Sequence, residues 1–402
     1  MKKILLIGTY PIINPTHGGQ LRCEAILNLY KKYAKVRYCA IYNPYGYLQS
    51  GIDDIAVGKD TLAKISNYPY AEDIFCGQAI SSDREVTEKF CRLLDSFQPD
   101  IIQLEQCYAW LGLQELIQTK RVLKDVCIIY RSQNFEYAMK KEIYTTIGIP
   151  KDDEERYLDI VLNMEKELAK NATLVITTTQ DDECIFRQFG AQRLVIAPNG
   201  IQRKIAPDTA IKYWKDRFSR ERVDCALVFV GSAHIPNSQG FIDLVSDRVG
   251  FLPPNAHIYV VGGVCDLLQQ SLTARRVQDV LFDKRISLLG KLNNDKLSGI
   301  INTAHIILLP ITQGGGSNLK TAEAILSGKK IVSTTQALRS FDEHIKSPLI
   351  AIGDNSITFK EAILKQIISP DAILTSKQKN TAELVTWDNC LVPLVKALQE
   401  VL

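Results

Sequence analysis

Short runs of β-branched and apolar residues alternate with stretches whose apolar positions recur at helical spacing, almost from one end of the chain to the other. In the first half the runs are KILLIG, VRYCAIY, DIIQLE, VCIIYR, TLVITT and RLVIAP; in the second they are ALVFVG, HIYVVG, ISLLG, HIILLP, KIVST and LIAIG. Unbroken apolar runs of this length, separated by amphipathic helices, are what parallel strands buried on both faces require. Two such series predict an α/β protein with two Rossmann-like, doubly wound domains. The turn residues Pro198, Asn199, Gly200 and Pro207 place the seam near residue 200, giving domains 1–200 and 201–384. The amphipathic tail that carries Trp387 must dock on something apolar, and Pro393 marks a kink or a fresh helical start within it. Two stretches break the rhythm. Pro44 to Pro69 has no clear period and is expected to be an insertion or mobile loop, and Asp152 to Asn171 is so charged that a solvated helix face is expected.

Composition narrows the function. The 402 residues, 46% hydrophobic, suffice for two cores. With 48 basic against 45 acidic residues the net charge of +3 is too balanced for binding nucleic acid over a broad surface, so any anion must be met locally. The ten cysteines form no C-x-x-C pair and sit mostly in apolar runs, which favours a reducing cytoplasm over a disulfide frame or a zinc knuckle. MKKILLIGTYPIINP has the lysines of a signal peptide but too short an apolar stretch, and no run approaches a membrane span, so a soluble or peripheral protein is expected. Lys31, Lys32, Lys35 and Arg37 read either as a contact with anionic lipid at the inner membrane face or as an ordinary solvated helix end.

The richest chemistry lies in ITQGGGSNLKTAEAILSGKKIVSTT, Ile311 to Thr335. HIILLP, the glycine loop, NLKTAEAILS and KIVST form one βαβ unit whose loop falls at the carboxyl edge of the sheet, where helix N-termini attract anions. Gly314, Gly315 and Gly316 let a phosphate approach the backbone. Lys320 in the first turn opposes the helix dipole unless an anion is present, and Glu323 follows on the same face, placed to accept from ribose hydroxyls. The plain alternative is a glycine turn with a Lys320–Glu323 surface pair in the poorer orientation. The loop is neither of the common nucleotide fingerprints: G-x-G-x-x-G would need glycine at Leu319, and no G-x-x-x-x-G-K-[ST] occurs.

This stretch, with its continuation EAILSGKKIV, resembles the donor-binding signature of GT-B fold glycosyltransferases, particularly family 4. The resemblance extends in order to NPTHGGQLRCEAILNLYKK, ATLVITTTQDDECIFRQFGAQRLVIAPNGI, LVFVGSAHIPNSQGFIDL and ISLLGKLNNDKLSGIINTAHIILLP. It implies two domains facing each other across a cleft, acceptor in the first and donor in the second, with a C-terminal helix (385–402) packing back on the first domain. It implies donor contacts at Gly18, Gly19, Gly231, His234, Asn237, Gly290, Lys291, Leu292, Gly314, Gly315, Gly316, Ser317, Asn318, Leu319, Lys320 and Glu323. Acceptor or sugar contacts fall at Arg131, Asn134 and Glu136, and Lys320, Glu323, Glu105 and His17 stand closest to the chemistry. The implied activity is retaining transfer from a UDP- or GDP-sugar to a glycan, glycolipid or glycoprotein of the cell surface. With D-x-D absent, no obligatory metal or other cofactor is expected. The chain also departs from the family. Gly315 stands where many members have a second glutamate, GSAHIPNSQG lacks the usual basic pair, and Glu105 and Gln133 stand where histidines are common. A sugar-nucleotide epimerase of the same fold and a non-catalytic partner protein remain as alternatives.

Overall fold

The computed structural model describes residues 1–15, 18–119, 123–246, 249–274, 280–313, 318–372 and 374–400. His17 and the loop residues Gly314, Gly315, Gly316 and Ser317 lie outside the described residues. The chain divides into two compact units, Met1–Pro198 with Leu391–Leu402 (unit 1) and Asn199–Cys390 (unit 2).

Unit 1 is built on β1 (Lys3–Gly8), β2 (Lys35–Tyr42), β3 (Ile55–Ala56), β4 (Ile101–Leu104), β5 (Cys127–Arg131), β6 (Leu174–Thr177) and β7 (Leu194–Ile196), in the order β3-β2-β1-β4-β5-β6-β7. Unit 2 carries β8 (Cys225–Val230), β9 (Ala256–Val261), β10 (Ile286–Leu288), β11 (Ile306–Leu309), β12 (Lys330–Ser333) and β13 (Ile350–Ile352), ordered β10-β9-β8-β11-β12-β13. All pairings are parallel. Helices cover both faces, which is why the strands are apolar throughout: Ile4, Leu5, Leu6 and Ile7 are all fully buried. In each sheet the first strand sits centrally and the winding reverses beside it, between β1 and β4 (Ile4 opposite Ile101) and between β8 and β11 (Leu227 opposite Ile306). A crevice forms at the carboxyl ends of the strands at such a reversal, because the connections on either side lead away in opposite directions.

Each of the twelve apolar runs becomes a strand. The exceptions lie in the stretches without a clear period. Of the two readings of Pro44 to Pro69, insertion or mobile loop, the loop does not hold: the segment adds β3 to the sheet edge and the helix Lys59–Asn67, with the Ala40 N–H donating to Asp54 at 2.8 Å and Ile65 buried. A two-residue strand and a nine-residue helix contain too few periods for a sequence pattern to register. The charged stretch forms the helix Lys151–Asn171, but Tyr157, Leu158, Val161, Met164 and Leu168 form a buried stripe along it, so it is half core rather than a solvated face. The basic cluster is also divided: Arg37 lies in β2, pairs with Asp53 at 3.0 Å and covers the ring of Phe97.

The tail makes a fresh start. Pro393 occupies the first turn of the helix Val392–Gln399, where its missing N–H costs nothing, and Leu394 and Leu398 are buried in unit 1 beside β7. The return begins at Leu391; Thr386 and Trp387 stay with unit 2, where the Trp387 N–H donates to Ile201 O at 3.1 Å.

Candidate functional site

In unit 2 the loops after β8 and β11 flank the winding reversal. After β8 the chain passes Gly231 and Ser232 into the short helix Ile235–Phe241. After β11 it enters the helix Leu319–Ser327, capped by Asn318, whose side chain accepts the Lys320 N–H at 3.1 Å, and closed by Gly328 at φ 67°. Lys320 Nζ donates across the two loops to Asn237 Oδ1 at 2.8 Å. Asn237 is itself fixed, since it is 5% exposed and its Nδ2 donates to Ser232 O and Oγ, both at 3.1 Å.

This bridge depends on a close backbone approach. A Cβ on Gly240 would lie 2.0 Å from Pro310 O, so only glycine lets the Asn237 helix seat against the end of β11. Gly240→Ala is expected to destabilise unit 2 by about 2 kcal/mol, since so close an approach to a backbone oxygen puts the overpacking cost at the upper end of its range, about 3 kcal/mol, against the roughly 1 kcal/mol that alanine gains in a helix. Denaturant unfolding measures it, and unchanged stability would contradict the close approach.

Lys320 is partly buried and has an amide, not a carboxylate, as its partner. Burial pulls its ammonium down to about 8, against the opposing pull of Glu323. The carboxyl of Glu323 is pushed up by burial, with Lys204 and Lys320 resisting. It takes part in no hydrogen bond or ion pair among the described residues and lines a cavity of about 100 Å³ with Lys204, Leu297, Ser298 and Asn302. The surface ion pair of the plain alternative is therefore not what forms. The site holds a desolvated cation with a neutral partner, and one turn further a carboxylate free to accept.

The remaining expected donor contacts of unit 2 are dispersed over neighbouring loops. Gly231 is buried, His234 is exposed ahead of its helix, and Leu319 is partly buried. Gly290 adopts φ 65° and donates to Cys265 Sγ at 3.3 Å, Lys291 is exposed, and Leu292 packs on the core.

In unit 1 the carboxyl ends of β1, β4 and β5 carry a dense polar cluster. Thr9 Oγ1 donates to Gln106 Oε1 at 2.7 Å, tying the ends of β1 and β4 together. Gly18 and Gly19 open the helix Gly18–Tyr30, and a Cβ on Gly19 would lie 2.3 Å from the Tyr10 hydroxyl. Glu105 and Arg131, expected at a ligand-facing edge, are both 0% exposed. Glu105 accepts from Gln103 Nε2 at 2.6 Å, Arg131 Nη1 at 3.3 Å and Cys23 Sγ at 3.4 Å. Through Cys23 this buried cluster is tied to the Gly18–Tyr30 helix.

Glu136 is also buried, accepting from the Tyr108 hydroxyl at 2.8 Å, and burial raises its carboxyl to about 7. Its N–H and that of Tyr137 donate to Glu165 at 2.8 and 3.0 Å, so Glu165 caps the helix Glu136–Ile147 from a neighbouring helix. Asn134 is partly buried and reaches Met139 Sδ at 3.4 Å. Lys140 pairs with Asp73 at 2.8 Å, and the Thr9 hydroxyl lies 3.0 Å from the same carboxylate.

Sequence reasoning missed Arg22, Tyr10, Asp73, Lys140 and Glu165. A usable signal existed for Arg22, which falls on the same helical stripe as the buried Cys23, Ile26, Leu29 and Tyr30. Among the described residues no group of His, Cys, Asp and Glu is gathered as for a metal ion, and no helix is long and apolar enough to cross a membrane.

The chain matches no family profile and no curated protein. Its fold is nonetheless shared with solved structures. Sucrose-phosphate synthase from Thermosynechococcus elongatus is 13% identical with a TM-score of 0.72, over 100% of this chain and 99% of that one. HepE from Anabaena in complex with UDP-glucose is 14% identical with a TM-score of 0.67, over 100% of both chains. The lipopolysaccharide outer core galactosyltransferase WaaB is 12% identical with a TM-score of 0.59, again over 100% of both. Identities this low speak for the fold, and the doubly wound α/β domains of the GT-B type expected above are those the chain adopts.

Proposed function

We propose that the chain is a glycosyltransferase that takes a sugar from a nucleotide-diphosphate sugar, held by unit 2, and passes it to an acceptor hydroxyl at unit 1. The observation that carries this is Lys320, a partly buried ammonium whose hydrogen-bond partner is Asn237 rather than an acid, at the first turn of a helix that follows a glycine loop. Such a group is stabilised by a diphosphate, and it stabilises a departing nucleoside diphosphate most when charge builds on the leaving oxygen. Glu323 accepts from the ribose hydroxyls. Family 4 membership, retention at the anomeric carbon, a cytoplasmic setting and a role in surface polysaccharide or glycoconjugate synthesis complete the reading. A uridine donor is favoured by the UDP and UDP-glucose held by HepE.

The test is a calorimetric screen of UDP, GDP, ADP and CMP, followed by slow donor hydrolysis with sugars of the winning nucleotide. Release of sugar and nucleoside diphosphate supports transfer, an epimerised donor overturns it, and absence of any nucleotide binding overturns the site. Glu323→Ala is expected to weaken nucleoside and nucleoside diphosphate alike by roughly tenfold or more, the worth of a hydrogen bond to a charged group. Unchanged nucleoside affinity would remove the ribose role.

A further inference from the structure

Arg22, one turn into the helix Gly18–Tyr30, and Arg131, the last residue of β5, are 1% and 0% exposed. Arg22 donates from Nη2 to Ser132 O at 2.9 Å and Arg131 from Nη1 to Glu105 at 3.3 Å. The other nitrogens, Nε and Nη1 of Arg22 and Nε and Nη2 of Arg131, have no acceptor among the described residues. In a guanidinium, Nε–H and one Nη2–H point the same way along one edge, the edge that grips a carboxylate or phosphate through two bonds. Arg131 leaves that edge unused.

The neighbouring carboxylates do not supply the missing acceptors. Glu105 is already shared by Gln103, Cys23 and Arg131. Asp182 accepts from Thr178 Oγ1 at 3.4 Å and from the Phe135 N–H, and bonds to neither arginine. Two buried guanidinium groups with idle donors are costly, and burial, together with repulsion from Arg131, pulls Arg22 down to about 9. The first N–H groups of the Gly18–Tyr30 helix add partial positive charge nearby. Tyr10 and Gln133, joined by a 2.6 Å hydrogen bond, lie toward the surface of this cluster at 7% and 8% exposure, as does Asp182 at 7%.

We propose that Arg22 and Arg131 form an oxyanion subsite in unit 1 that binds a phosphate or carboxylate group carried by the acceptor sugar and is entered past Tyr10 and Gln133. That the bearer is the acceptor rests on the transferase reading; that an oxyanion binds does not.

The test is calorimetry on the full chain in chloride-free buffer with glucose 6-phosphate, glucuronate, glucose and inorganic phosphate. A charged sugar is expected to bind at least tenfold more tightly than glucose. Arg22→Met should abolish that preference. Arg22→Lys, which keeps the charge without the fork and guards against a folding failure of the first variant, should reduce it. Lys320→Ala should leave it unchanged, which separates this subsite from unit 2. Equal binding of charged and neutral sugars, or a preference that survives both Arg22 variants, would overturn the subsite. Inorganic phosphate binding as tightly as glucose 6-phosphate would overturn the acceptor assignment. Failure of every nucleotide to bind would sink the transferase reading while leaving the charged-sugar result standing.

Discussion

Lys320→Ala is expected to weaken nucleoside diphosphate binding by roughly 10- to 100-fold while leaving nucleoside binding within about twofold, the range set by charge-assisted hydrogen bonds of about 1.5–3 kcal/mol. The asymmetry follows from position. Lys320 sits in the first turn of its helix and is tied to Asn237 on the facing loop, so its ammonium meets what binds at the helix start. Glu323, one turn on, lines a cavity with Lys204 and Ser298. In the free protein the ammonium is desolvated without an opposing carboxylate bonded to it, so a diphosphate gains the ion pair without displacing an internal one. Calorimetry with the diphosphate and its nucleoside decides: equal losses for both would remove Lys320 from the phosphate.

The affinity for nucleoside diphosphate is expected to fall about tenfold per pH unit above the point where Lys320 loses its proton in the free protein, near pH 8. Between that value and the second ionisation of the terminal phosphate, about pH 6, both free and bound forms hold the lysine proton and affinity is flat. Above it the free lysine is neutral, the bound lysine is charged again by the diphosphate, and each binding event takes up a proton. Stability of the ligand-free protein should change in the opposite sense. Burial lowers the folded-state value below the ordinary lysine value of 10.5, so the unfolded chain binds more protons between about pH 8 and 10.5, and this group's contribution to stability rises with pH across that window. Calorimetry in buffers of different ionisation enthalpy measures the proton uptake directly. A pH profile that stays sloped in Lys320→Ala would assign the titration to another group.

Much of the fold is legible along the chain because parallel strands buried on both faces must be apolar at every position. KILLIG and HIILLP declare themselves without knowledge of their neighbours, and Pro198, Asn199 and Gly200 mark the turn at the seam by local backbone chemistry. Ile55 and Ala56 do not, since a two-residue strand is defined by its partner Ile41 and not by its own pattern. For the same reason the charged helix Lys151–Asn171 concealed Glu165, whose role as a cap exists only because another helix begins against it.

The sites divide along similar lines. Lys320 and Glu323 could be read from the sequence because their significance is local: a glycine loop, a helix start and one turn of helical spacing. Asn237, 83 residues away, was placed in the donor pocket by resemblance, but its bond to Lys320 required β8 and β11 to lie side by side. Glu105 and Arg131 were expected near a ligand; that both are fully buried, with Glu105 shared by Arg131 and Cys23, could not be read from their places at the strand ends. The sequence alone therefore determined the twelve apolar strands, the doubly wound class and the glycine-loop helix, because hydrophobic burial and turn chemistry act between residues close in the chain. Tertiary structure alone decided which charges are desolvated and which donors lack acceptors, because burial and hydrogen-bond partnership depend on groups brought together from distant strands.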